Sequence, residues 1–251
     1  MNLLLLAVSA AAATATVQTL PVARLVDAVR HALPFPSSDQ SGEMPSEGGA
    51  RHRWFVVWPT AADPRIVIKA NPLHPDTQQA SAEAMDAIQR AIEQAEHRAQ
   101  ASYDRAVAEV KRTGKPADVD GISLDDEGIA GERIDADLEV SIQLEPATSF
   151  ELATAHVPVV TPGGAGPSWV IRTAANAYQD PSTQRGRERF RPAEARLYFG
   201  VIERPTVARR GDRHLHAVTV TAEKDAFCVV IRGNEGLVGR LVAASDWRRL
   251  D

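Results

Sequence analysis

Hydrophobic and polar positions alternate with two different periods along this chain, and the change of period marks out its elements. From about Asp76 to Thr113 there is no Gly or Pro. Met85, Ile88, Ile92, Ala95, Ala99, Ala106 and Val110 recur there mostly at steps of three and four. This is one apolar stripe on an α-helix. Pro75 precedes it, Asp76 or Thr77 can cap it, and Gly114 and Pro116 end it. Pairs such as Asp86–Arg90 and Glu93–His97 fall four residues apart and support it locally. Such a helix reaches ~55 Å at about 1.5 Å per residue. Its Ala-rich stripe is expected to pack along a sheet, with a partner-binding face as the second reading. A shorter stripe, Val22, Leu25, Val26, Val29 and Leu33, predicts an amphipathic helix docked on the body.

Elsewhere the period is two. Trp54–Trp58 and Arg65–Lys69 are rich in β-branched and aromatic residues and flank Pro59–Pro64, which predicts a hairpin with a long loop. Ile134, Ala136, Leu138, Val140, Ile142 and Leu144 alternate with polar residues, predicting a strand with one buried face. Further strands are expected at Phe150–Val160, Ser168–Arg172, Ala195–Ile202, His214–Ala222 and Ala226–Arg232. Asn234 can cap a final short helix carrying Leu237, Val238, Leu241 and Trp247. The fold class predicted is α+β: a mainly antiparallel sheet with one long Ala-rich helix, about 76–113, and a short C-terminal helix.

The N-terminal residues change the picture of where this domain works. Leu3–Ala13 is a short apolar run followed by small residues at Ala11, Ala13 and Ala15. That is the pattern of a cleavable export signal, although no Lys or Arg precedes the apolar core. The run falls short of the about 20 apolar residues that span a bilayer. The expected organisation is a signal peptide over 1–15, a short amphipathic helix and a flexible Pro/Ser/Gly linker over 16–52, and a single α+β domain over 53–251. The expected location is periplasmic or secreted, with a soluble mature chain and no membrane span.

Composition is that of an ordinary globular protein, 44% hydrophobic and 24% charged over 251 residues. The net charge of −5 is uneven. Residues 183–251 hold fourteen basic and nine acidic side chains, against fourteen and twenty-four in the rest. With the single cysteine Cys228 no internal disulfide can form, and its place in the apolar run Phe227–Ile231 predicts a small buried hydrophobe.

Candidate chemistry is sparse. His214 and His216 lie on one side of a strand and could share a metal ion, but no third ligand stands at fixed spacing. Arg185, Arg187, Arg189 and Arg191 alternate around Gly186, Glu188 and Phe190, and in an extended chain they would form an anion-binding edge. The Gly-rich stretch Thr161–Pro167 lacks the Lys-Ser/Thr ending of a phosphate loop and reads as a turn. Asp125, Asp126 and Glu127 read as solvated loop charge, and Gly-x-Ser-x-Gly is absent. The function expected is a non-catalytic binding or structural module of the cell envelope or extracellular space. Its contact surfaces would be the long helix and the Arg-rich loop. The alternative is a metal-dependent hydrolase using His214 and His216. The expected partner is an anionic envelope component or another protein, with no nucleic acid and no cofactor.

Overall fold

The most apolar strand patterns become the centre of the fold. The computed structural model describes residues 22–33, 53–115, 132–133, 135–164, 166–179, 188–211, 215–244 and 247–250. It comprises α1 (Val22–Ala32), β1 (Trp54–Val57), β2 (Ile66–Ala70), α2 (Pro75–Thr113), β3 (Glu139–Pro146), β4 (Phe150–Ala153), β5 (Val159–Pro162) and β6 (Trp169–Thr173). There follow β7 (Asn176–Gln179), β8 (Glu188–Arg191), β9 (Ala193–Phe199), β10 (Thr206–Arg210), β11 (Leu215–Thr219), β12 (Phe227–Gly233), α3 (Glu235–Ala244) and a closing 3-10 turn, Trp247–Leu250. Seven strands form one antiparallel sheet in the order β1-β2-β3-β12-β9-β6-β5. Smaller sheets are β10-β11-β4 and β7-β8. The architecture is α+β and mainly antiparallel, with the long helix and the short C-terminal helix.

Side chains alternate across the large sheet. On one face Val140, Ile142, Val229, Ile231, Ala195 and Leu197 lie beneath Leu25, Ala28 and Val29 of α1, Leu237 and Leu241 of α3, and Trp247 and Leu250. Phe199 and Phe227 stack there with ring centroids 4.9 Å apart. The amphipathic helix expected from Val22 to Leu33 is therefore docked, and Arg249 Nη1 ties it to the C-terminus by donating to Asp27 Oδ2 at 2.8 Å. On the other face Ile171, Tyr198, Cys228 and Val230 meet Val218 of the small sheet and Val220 just beyond it.

The hairpin β1–β2 pairs as expected, Trp54 opposite Ala70. Asn234 caps α3: its Oδ1 accepts from Leu237 N at 3.0 Å. Helix α2 is continuous over 39 residues, but its start differs from the expected cap. His74 is the N-cap, its Nδ1 accepting from Asp76 N at 3.2 Å, because Pro75 already occupies the first turn. Gly114, at φ 67, closes the other end by donating to Val110 O at 2.8 Å.

Two expectations are corrected. Helix α2 makes no extensive packing with any other described element, so the sheet packing expected of its Ala stripe is not made among them. Both faces of the large sheet are instead taken by α1, α3, the 3-10 turn and the small sheet. The strand expected from Ile134 begins only at Glu139, and residues 135–138 are helical. Register explains this. Lys69↔Glu139 and Gly233↔Val140 are the last pairs β3 makes with its neighbours, so the chain before Glu139 has no ladder to join.

Candidate functional site

The polar positions of β9, inside the large sheet, do not face water. Glu194, Arg196 and Tyr198 of β9 alternate with the helix-facing apolar residues, so the pleat places them on the opposite face, beside Arg232 of β12 and Glu145 of β3. Glu194 is 3% exposed and Arg196 8%. Burying charges is costly unless each is paired, and here they are. Arg196 Nε donates to Glu194 Oε1 at 2.6 Å and its Nη1 to Glu145 Oε2 at 3.0 Å. Arg232 Nε donates to Glu194 Oε2 at 2.6 Å, and Arg191 Nη2 reaches the same oxygen at 3.2 Å. Gln143 donates to Glu145. The Arg196 guanidinium lies 4.0 Å over the Phe150 ring.

Three guanidiniums therefore share two carboxylates, and the cluster carries one surplus positive charge. Burial by itself would push the Glu194 carboxyl up, but Arg196, Arg232 and Arg191 together outweigh it and hold the group below the usual carboxylate range. Burial lowers the guanidinium of Arg191, whereas Arg196 is raised, its paired carboxylates overcoming desolvation. Burial also pushes Tyr198 up and the Cys228 thiol up to about 12. Cys228 is thus the expected small buried hydrophobe and a poor nucleophile near neutral pH.

At one edge of this cluster the sheet opens into a cleft of about 560 Å³. Its floor comes from three adjacent strands: Lys69 of β2, Glu139 and Ser141 of β3, and Arg232 of β12. Ser141 pairs in register with Arg232 and Glu139 with Lys69, so the four share one face. Asp135, Ala136 and Leu138 form one wall and Pro192 part of another. At its base Gly233, at φ 139, brings two backbones together, and a Cβ there would overlap the Glu139 carbonyl. Lys69 Nζ and Glu139 Oε2 are 3.5 Å apart, a loose, half-exposed pair. Arg232 Nη1 and the Ser141 hydroxyl make no hydrogen bond with the described residues. The cleft thus presents two uncommitted donors above a positive cluster, with carboxylates at its rim.

The residues singled out from sequence are distributed differently. Arg185, Arg187 and His214 lie outside the described residues, as do Asp125, Asp126 and Glu127. Arg189 and Arg191 stand on β8 as an alternating pair, and each is ion-paired, Arg189 at the surface and Arg191 in a largely buried setting. Arg189 Nε is 3.3 Å from Glu132 Oε1, and Arg191 belongs to the Glu194 cluster. His216 is 3% exposed on β11, opposite Leu152 on one side and Arg209 on the other. His216 shares its face of β11 with Val218, which packs against the large sheet. Among the described residues no group of three His, Cys, Asp or Glu side chains is placed to hold a metal. Of the Gly-rich stretch, Thr161 and Pro162 end β5, and Gly166, at φ 119, lies against the Trp247 backbone.

No family model, curated protein or solved structure matches the chain. Any functional reading therefore rests on the site itself. Sequence reasoning missed Lys69, Ser141 and Arg232 because they stand on strands far apart in the chain. Charged residues inside apolar strands, Arg196 and Arg232 above all, were the available signal.

Proposed function

We propose that this chain is an exported, non-catalytic binding module of the cell envelope or extracellular space that holds a small ligand in the cleft over β2, β3 and β12. One observation carries the binding reading. An open cleft of about 560 Å³ sits over a rigid sheet and offers two uncommitted donors, Arg232 Nη1 and Ser141 Oγ. Pockets of this size, part apolar and with a few convergent polar groups, suit small molecules. The catalytic reading has less support: Cys228 is buried with a raised pKa and His216 is buried. Export is supported by the apolar run Leu3–Ala13 and its trailing small residues. In keeping with it, no helix among the described residues is long and apolar enough to cross a membrane.

Two experiments test this. Intact mass from separated cell fractions of the source should show a species lacking about the first fifteen residues outside the cytoplasm. A full-length cytoplasmic species refutes export. A thermal-shift screen of small polar compounds should find a class that raises Tm in the wild type but not in Ala136→Trp, which fills the cleft. A ligand at a hundred times its Kd stabilises by about 2.7 kcal/mol, and for a chain of this size that corresponds to roughly 5–10 °C. If no class separates the two proteins, the binding reading fails.

A further inference from the structure

The cleft's charges are arranged by sign. Its donors, Arg232 Nη1 and Ser141 Oγ, are on neighbouring strands in direct register. Directly paired side chains on one face stand about 5 Å apart at Cβ. A single carboxylate can therefore span both. Arg232 belongs to the cluster in which Arg191, Arg196 and Arg232 outnumber Glu194 and Glu145 by one charge. The acceptors are on the other side: Glu139, two residues before Ser141 on the same face, and the exposed Asp135 on the wall. Lys69 neutralises Glu139 only loosely, at 3.5 Å, while Asp135 has no ion pair with the described residues.

Three simpler ligand classes fit this arrangement poorly. A plain anion meets Asp135 and Glu139 at the rim, and like charges across a contact are disfavoured. A plain cation sits over a cluster with more guanidiniums than carboxylates. A neutral apolar compound covers the Arg232 and Ser141 donors without pairing them, and buried unpaired donors cost affinity. A ligand with a carboxylate and an ammonium close together satisfies both sides. Ala136, Leu138 and Pro192 leave an apolar surface beside it.

We infer that the cleft binds a free α-amino acid with an apolar side chain, the carboxylate on Arg232 and Ser141, the ammonium on Asp135 and Glu139, and the side chain against Ala136, Leu138 and Pro192. This rests on the binding reading above and narrows it to one ligand class.

The test is calorimetric titration with L-leucine, 4-methylpentanoate, which lacks the amine, and 3-methylbutylamine, which lacks the carboxylate. Saturable binding of leucine at the wild-type protein is expected, with each half-ligand at least about tenfold weaker, the loss that follows removal of a charged hydrogen bond. Asp135→Asn should weaken leucine about tenfold and leave 4-methylpentanoate unchanged or improved. Ser141→Ala should weaken both. Asp135 is exposed and Ser141 makes no side-chain bond, so both variants should keep the wild-type urea midpoint. The inference is overturned if leucine does not bind, or if leucine and 4-methylpentanoate bind equally. A half-ligand that binds as tightly as leucine or more tightly, and that Ala136→Trp displaces, would sink the amino-acid assignment and keep the binding module. No cleft-dependent binding of any compound removes both.

Discussion

Glu194→Gln is the substitution that most directly probes how the polar face is held. Glu194 is 3% exposed and accepts from Arg196, Arg232 and Arg191 at 2.6, 2.6 and 3.2 Å. Replacing the carboxylate by an amide keeps the volume and one acceptor oxygen. It leaves three guanidiniums with Glu145 alone, so the surplus charge doubles. Removing one partner from a buried ion pair costs roughly 3–5 kcal/mol. The retained amide oxygen argues for the lower end, about 3 kcal/mol at pH 7. With a urea m-value of roughly 2–3 kcal/mol/M, the midpoint should fall by about 1–1.5 M at unchanged slope.

The pH dependence supplies a sign. Because the folded Glu194 carboxyl titrates below its ordinary value of 4.5, its contribution is whole above that value and is lost as pH falls through the lower folded pKa. The gap between wild type and Glu194→Gln should therefore be widest at neutral pH and close under acid. Urea unfolding followed by circular dichroism from pH 7 down to about 3.5 measures it. A loss under about 1 kcal/mol at pH 7, or a gap that widens in acid, would refute the buried-pair account.

Other outcomes are expected. Asn234→Ala removes the Oδ1 that accepts from Leu237 N, and should cost about 1 kcal/mol of stability by denaturant titration. Gly233→Ala places a Cβ into the Glu139 carbonyl at φ 139 and should abolish the cooperative transition or lower stability by at least about 3 kcal/mol. Cys228, with its pKa pushed up to about 12, should resist iodoacetamide at pH 8 in the native protein and react readily in denaturant. Fast labelling of the native state would contradict its burial. The exposed Asp63 carboxyl, held down to about 2 by Arg65, should titrate there in a carbon-detected NMR experiment and return toward 3.8 in Arg65→Ala.

Much of the fold was legible because local pattern and tertiary context agree. The Gly- and Pro-free stretch before Gly114 is one helix, and Asn234 caps α3 as its position suggests. The alternation from Ile134 misled because Ala136 and Leu138 keep the two-residue step while turning helically, and only the register with β2 and β12 ends the strand. The Ala stripe of α2 fixed a helix and not its neighbour, since small residues allow close packing without specifying against what. The site was the least legible part. Glu194, Arg196 and Arg232 read as an outward face in a period-two pattern, yet the sheet folds β10-β11-β4 over part of that face and pairs the rest internally. The alternation reports which side a residue is on, and not whether that side meets water.

The strand order carries a consequence for how the chain is made. β12 lies between β3 and β9 in the large sheet, yet it is the last of the described strands in sequence. Until Phe227–Gly233 leaves the ribosome, neither β3 nor β9 has its central partner, and the β3–β12 pairing joins segments far apart in the chain. Until β12 arrives, the facing edges of β3 and β9 present unpaired backbone groups, and such open edges are templates for pairing with another chain. The same topology that centres the sheet on β12 thus makes that strand the guard against mispairing.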